Sequence, residues 1–179
     1  DLTDPDPCAR ATQVFDQLAA DLAQVFAAAR IAQLEMERLY DPVLHDPWFA
    51  NFNWEAFSHD ELLLVPTVLA IESADRVAGP GLASFSRLLG SGRPVQILIR
   101  VQPSNNPGAA PEESPFRHYR TELGYLGISH RQAVVSQSSA ARHKHLLTCF
   151  LSALDATRTS LHLINTGLRA GTRLVPLNA

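Results

Sequence analysis

The sequence predicts an α/β protein: a doubly wound, mostly parallel sheet flanked by helices and preceded by one long N-terminal helix. Three observations lead there. Short apolar runs rich in β-branched residues recur along the second half of the chain, segments of helical period separate them, and the first forty residues keep a helical period almost without interruption. At 179 residues and 19.6 kDa the chain supports one mid-sized core. With 46% hydrophobic and 18% charged residues it lies outside the disordered class.

The N-terminal helix is expected from Cys8 to Tyr40, where Val14, Leu18, Leu22, Val25 and Phe26 recur at three- and four-residue steps. Asp41-Pro42 is read as its end and Asp46-Pro47 as a second stop, since the residue before a proline is driven out of the α region. The aromatic stretch from Trp48 to Phe57 reads as packing between a helix and a sheet. Ser58 with Glu61 three residues on is a capping box for a short helix. Thr67–Ile71 is wholly apolar, the pattern of a strand covered on both faces. Glu72–Gly79 is expected to be loop and Leu82–Leu89 helix, stopped by Gly90-Ser91-Gly92, with Val95–Ile99 as the second strand. Strand, helix and strand within about 35 residues make a right-handed crossover unit, hence a parallel sheet. The prolines of 102–115 mark an irregular segment where that strand ends, and ligands of open parallel sheets bind at the carboxyl ends of their strands. Tyr119–Ser129 then reads as helix, Gln132–Ser136 as strand, and Ser160–Ile164 as the last strand. His143–Ala153 reads as helix, with Leu146, Leu147, Phe150, Leu151 and Leu154 inward. The expected organisation is a helical segment at 1–57, the α/β domain at 58–168, and a tail or linker at 169–179. The Pro- and Asp-rich opening has the character of a linker and points to a piece of a longer protein.

Charge is unevenly divided. Residues 1–75 hold 14 acidic and 3 basic side chains, net −11, whereas 76–179 hold 4 acidic and 12 basic, net +8. The halves face different neighbours or each other, or the basic half meets an anion such as a diphosphate. The few aromatics are not interleaved with the arginines, so no nucleic-acid partner is expected. No apolar run reaches the roughly 18 residues of a membrane span, and a soluble, cytoplasmic protein without a membrane partner is expected. Cys8 and Cys149 make no metal-ligand spacing with each other, so no cysteine-held zinc or cluster is expected from this chain alone. Cys149 reads as a core residue, Arg142-His143-Lys144-His145 as a solvated basic helix start, His130-Arg131 as a loop pair, and His162 as a satisfied structural histidine in a strand. His143 and His145, two residues apart on a helix, make poor co-ligands. Gly79-Pro80-Gly81 reads as a turn. A nucleophile elbow, a Walker loop and a dinucleotide fingerprint are all absent from the sequence.

The order of elements over about 60–168 resembles the diphosphate-side thiamine domain of the 2-oxoacid:ferredoxin oxidoreductases, the pyruvate synthase type. The resemblance is carried by Leu88-Leu89-Gly90-Ser91-Gly92-Arg93-Pro94-Val95-Gln96-Ile97-Leu98-Ile99 and by Leu123-Gly124-Tyr125-Leu126-Gly127-Ile128-Ser129 running to Ala133-Val134-Val135. Leu146-Leu147 with Phe150 and then Ser160-Leu161 continues in register. It implies a thiamine diphosphate-binding fold, thiamine diphosphate and Mg²⁺ as cofactors, and oxidative decarboxylation of a 2-oxo acid. It further implies other domains or subunits of an oligomeric oxidoreductase as partners, with ferredoxin or flavodoxin as indirect acceptor. Iron–sulfur clusters would belong to those partner domains, not to this chain.

By that resemblance the metal-binding Gly-Asp-Gly falls on Ser73-Ala74-Asp75, with Ala74 at the carboxylate position and Asp75 one place later. Asp75 is therefore the expected metal ligand; Gln102, Ser104, Asn105 and Asn106 are the expected further contacts to metal and diphosphate, and no catalytic residue is assigned. The family's cluster-binding cysteine would fall in Asn165-Thr166-Gly167-Leu168, which holds no thiol. Two readings follow: a thiamine domain with a modified site, or a degenerate, non-catalytic structural or interaction domain of the same fold within a larger oxidoreductase.

Overall fold

The computed structural model describes residues 4–102 and 122–166. These form two compact units: Gln13–Pro66 is one, and Asp1–Thr12 with Thr67–Ala179 is the other.

Helix α1 (Pro7–Met36) runs unbroken for 30 residues, its part through Thr12 belonging to the second unit. Its most buried stripe is Cys8, Ala11, Phe15, Ala19 and Ala23, the i, i+3/i+4 spacing of one helix face. The expected large residues lie beside that stripe, and Val25 is exposed. Small alanines occupy the tightest line and the larger side chains flank it. In the helical unit, α2 (Pro42–Phe49) corrects the reading of the Asp-Pro pairs as stops. Asp41 caps α2 through its carboxylate, which accepts from the Val43 amide at 3.0 Å, and Pro42 takes the first position, where its missing N–H costs nothing. Pro47 lies inside this helix and does not end it. After a 3₁₀ turn at Trp54–Ala56, α3 (His59–Leu64) carries the expected capping box of Ser58 and Glu61. Within this unit the aromatic stretch packs on helix α1. Phe57 meets Phe26 edge-on at 5.0 Å, and the Arg30 guanidinium lies 4.8 Å from the Phe52 ring while pairing with Glu61 at 2.5 Å.

The second unit holds a sheet of four strands, β1 (Val68–Ser73), β2 (Val95–Val101), β3 (Val134–Ser139) and β4 (Ser160–Asn165). All pair in parallel, in the order β1-β2-β4-β3. Helices α4 (Ala74–Val77) and α5 (Leu82–Leu89) follow β1, α6 (Leu123–Ser129) precedes β3, and α7 (His143–Asp155) joins β3 to β4. In-register partners share a face, so Ala70, Ile97, Leu161 and Val135 point one way and Ile71, Leu98, His162 and Ser136 the other. Helix α6 lies on the first face, where a Cβ on Gly127 would stand 2.7 Å from Leu161 Cδ2. Helix α7 lies on the second, with the Phe150 ring 4.4 Å from that of His162. Helices thus cover both faces, as expected of a doubly wound layer.

Several boundaries differ from expectation. β1 is an edge strand and alternates buried with exposed, leaving Leu69 and Ile71 about half accessible; it is not covered on both faces. The central strands β2 and β4 are the doubly covered ones. The expected loop after Glu72 is largely α4. β3 begins two residues later than the expected Gln132 and extends through Ser136, Gln137, Ser138 and Ser139, because ladder bonding to β4 and not hydrophobicity sets its length. On α7, Leu147, Leu151 and Leu154 are exposed, and Ala153 is the buried residue.

Candidate functional site

All four strands run the same way, so their carboxyl ends share one edge: Ser73, Val101, Ser139 and Asn165. The ladders continue past the strands, with the Thr166 amide donating to the Val101 carbonyl at 3.1 Å and the Ala140 amide to the Asn165 carbonyl at 2.8 Å. Of the expected site residues, Asp75 and Gln102 follow the ends of the adjacent strands β1 and β2, which pair with Ser73 opposite Arg100. Asp75 is exposed and Gln102 half-buried. Ser104, Asn105 and Asn106 lie outside the described residues.

The end of β1 is closed by local structure. Ser73 caps α4 directly, its hydroxyl accepting from the Arg76 amide, so strand passes into helix with no intervening loop. Ala74, at the position where the resemblance calls for a carboxylate, is a buried helical methyl. One residue before the cap, the Glu72 carboxylate is buried to 5% exposure and gripped by Arg76, whose Nε donates to Oε2 at 2.6 Å and whose Nη2 donates to Oε1. The same guanidinium donates to the Pro5 carbonyl and, at 3.3 Å, to Asp6. Asp6 also accepts from the Ser84 hydroxyl at 2.8 Å. Burial opposes ionisation of Asp6, but Ser84, the Ala9 amide and Arg76 outweigh it and hold its pKa below the ordinary value. Hydrogen bonding to Glu72 raises the Arg76 pKa. Burial, reinforced by the Glu72 charge, lifts the Cys8 thiol far above its usual range, so this thiol stays protonated.

One guanidinium therefore serves two carboxylates at the strand end. The arrangement leans negative, which does not suit a diphosphate, and its carboxylate oxygens are already engaged by Arg76 and Ser84. Asp75 and Gln102 offer oxygen donors of the type Mg²⁺ takes, but among the described residues no group of three or more His, Cys, Asp or Glu is placed to hold a metal ion. The described residues alone do not fit a Mg²⁺–diphosphate site. The Gly79-Pro80-Gly81 segment is the expected turn, its Gly81 amide donating to the Arg76 carbonyl at 2.8 Å.

A second polar group lies under α7, on the sheet face away from α6. His162 is buried in β4 with its Nδ1 2.7 Å from Ser136 Oγ, while its Nε2 has no hydrogen-bond partner among the described residues, which leave the ring only half satisfied. Burial pushes its pKa down to about 4 and keeps the ring neutral. Of the Ser136–His162 pair the histidine is fully buried and the serine half-buried. Two residues along β3, Ser138 Oγ lies 2.9 Å from His145 Nδ1, and Cys149, one turn further along α7, places Sγ 3.8 Å from Nδ1 and 3.9 Å from Nε2 of the same ring. Cys149 is thus half-buried beside a histidine and is not a core residue. His143 and Lys144 are exposed, as a solvated helix start requires. His130 caps α6 and meets the Ser86 hydroxyl at 3.1 Å. The serine–histidine contacts join separate elements and have no sequence signature; His145 and Cys149 do, through their i, i+4 spacing.

No known family model matches this chain, and no curated protein matches it either. Among the described residues no helix is long and apolar enough to cross a membrane.

Proposed function

We propose that this chain is a non-catalytic structural or interaction domain of a larger oxidoreductase-like protein, on a parallel α/β layer resembling the diphosphate-side thiamine domain. The end of β1 carries this reading. There Ala74 supplies a buried methyl where a metal-binding carboxylate would be needed, and Arg76, the nearest cation, is engaged by Glu72 and Asp6. A diphosphate brought to the Glu72–Arg76 cluster meets two carboxylates and a guanidinium already committed to them.

A second reading rests on the exposure of Asp75 beside the end of β2. In it, Asp75 holds Mg²⁺, Gln102, Ser104, Asn105 and Asn106 complete the contacts, and the domain supplies the diphosphate side for oxidative decarboxylation of a 2-oxo acid. Thiamine diphosphate would then stabilise the carbanion left by loss of carbon dioxide. Partner domains would pass the electrons to ferredoxin or flavodoxin.

Calorimetric titration of thiamine diphosphate, with and without Mg²⁺, into the longest parent protein that contains this chain separates the two. The scaffold reading expects no binding at millimolar cofactor in a folded protein. Magnesium-dependent binding in the micromolar range, about −8 kcal/mol, that is lost in Asp75→Asn would overturn it in favour of the thiamine site.

A further inference from the structure

We propose that the sheet face carrying α7 holds a second helix position, over β1 and β2, and that it receives α2 of another copy of this chain. The contact does not depend on what the carboxyl edge of the sheet binds. On α7, His145 reaches Ser138 of β3 and Phe150 packs on His162 of β4, which orders the helix surface across the sheet. At about 100° per residue, Leu154, Leu147 and Leu151 come next in the same sense, so their flank overlooks β2 and β1. All three leucines are exposed. On the same face as His162 lie Leu98 of β2, half-buried, and Leu69 and Ile71 of β1, half accessible. Two strand spacings, about 10 Å, separate this floor from the strands under α7, which is the distance between neighbouring packed helices. Floor and wall therefore leave a slot one helix wide.

Helix α2 has the matching surface. Val43, Leu44, Pro47 and Trp48 stand at i, i+1, i+4 and i+5, on one side of the helix, and all are exposed, Val43 to 87% and Leu44 to 68%. The eight residues of α2 span about 12 Å, less than the roughly 20 Å of a six-residue strand. Charge selects this occupant and its direction. Gln13–Pro66 holds 9 acidic and 2 basic side chains, net −7, whereas the unit with the sheet holds 9 acidic and 13 basic, net +4. Arg100 follows Leu98 on the floor and Lys144 precedes Leu147 on the wall, both exposed and both toward the carboxyl end of the strands. Glu35, Glu37 and Asp41 outnumber Arg38 just before α2, while Ala50–Asn53 beyond it carries no charge. With its start at the carboxyl end, α2 sets acid against Arg100 and Lys144 and leaves its uncharged end to Asp155, which closes the wall at the amino end.

Sedimentation equilibrium of the full chain tests the contact. Expected is reversible association with a dissociation constant on the order of 10 μM, as for a small interface, weakened severalfold at high salt. Leu44→Asp and Ile71→Asp, at exposed positions where circular dichroism should stay that of wild type, each weaken association by about tenfold or more. An equimolar mixture of the two variants associates one to one, because the first keeps an intact slot and the second an intact α2. Tyr125→Asp, exposed on α6 across the sheet, associates as wild type does. A wild-type chain still monomeric at about a hundredfold above that constant would overturn the proposal without any variant having to fold. So would loss of association in Ile71→Asp but not in Leu44→Asp, which gives the slot a different occupant, or a mixture of the two variants that stays monomeric.

Discussion

Titration of His162 makes stability depend on pH. His162 is 1% exposed, its ring packed against Phe150 on one side and bonded to Ser136, and among the described residues none accepts a second proton's hydrogen bond. Its pKa is about 4 in the folded chain against an ordinary 6.5. The folded state therefore resists protonation, and the unfolded state binds the proton more readily. The associated stability is fully present above pH 6.5 and falls as pH drops from there toward 4. Between pH 7.5 and 5.0 the loss accumulates over about 1.5 units below the unfolded value, or about 2 kcal/mol at 1.36 kcal/mol per unit. With a urea slope of about 2 kcal/mol/M, the unfolding midpoint should move down by about 1 M. Urea titrations followed by far-ultraviolet circular dichroism at the two pH values measure it. His162→Gln, which does not titrate, should flatten the dependence. An equal midpoint shift in wild type and variant, or no shift in wild type, would refute the assignment.

Other substitutions probe the strand end, the helix–sheet contact and the helical unit. Arg76→Ala leaves the Glu72 carboxylate buried and unpaired and should cost about 3 kcal/mol; adding Glu72→Gln should restore part of the loss, and a single variant as stable as wild type in urea would contradict the ion-pair argument. Gly127→Ala should lower stability by about 1–2 kcal/mol, because its Cβ meets Leu161 and Val135 at 2.7 and 2.9 Å, and overpacking outweighs the gain in helix propensity. A rise in thermal midpoint for that variant would show that α6 stands further from the sheet. Ser58→Ala removes the cap of α3 and should cost about 1 kcal/mol, while Ser58→Asp should recover most of it; amide exchange at Glu61, whose N–H the Ser58 hydroxyl accepts, reports the effect directly.

The amino-acid sequence by itself determined the fold class, because periodicity and capping are local. The run Val95–Ile99 is buried as its β-branched residues require, Gly90 stops α5, and Ser58 with Glu61 starts α3. The long first helix and the parallel sense of the sheet were legible in the same way, from period and from the length of the connections. The strand order β1-β2-β4-β3 was not, since many orders satisfy the same local pattern. That order made the apolar run of β1 an edge strand and left Leu69 and Ile71 accessible, although their hydrophobicity equals that of the central strands. Asp41-Pro42 was ambiguous because a proline that can end one helix opens another equally well, as Pro42 opens α2, whereas Pro47 lies inside that helix. The resemblance directed attention to Asp75 and Gln102, but whether a carboxylate after β1 is available depends on what packs there. Arg76 answers to Pro5 and Asp6, some seventy residues away along the chain. The pairings of Ser136 with His162 and Ser138 with His145 exist only because β3, β4 and α7 come together, and a contact across elements is set by packing, which no local pattern of residues encodes.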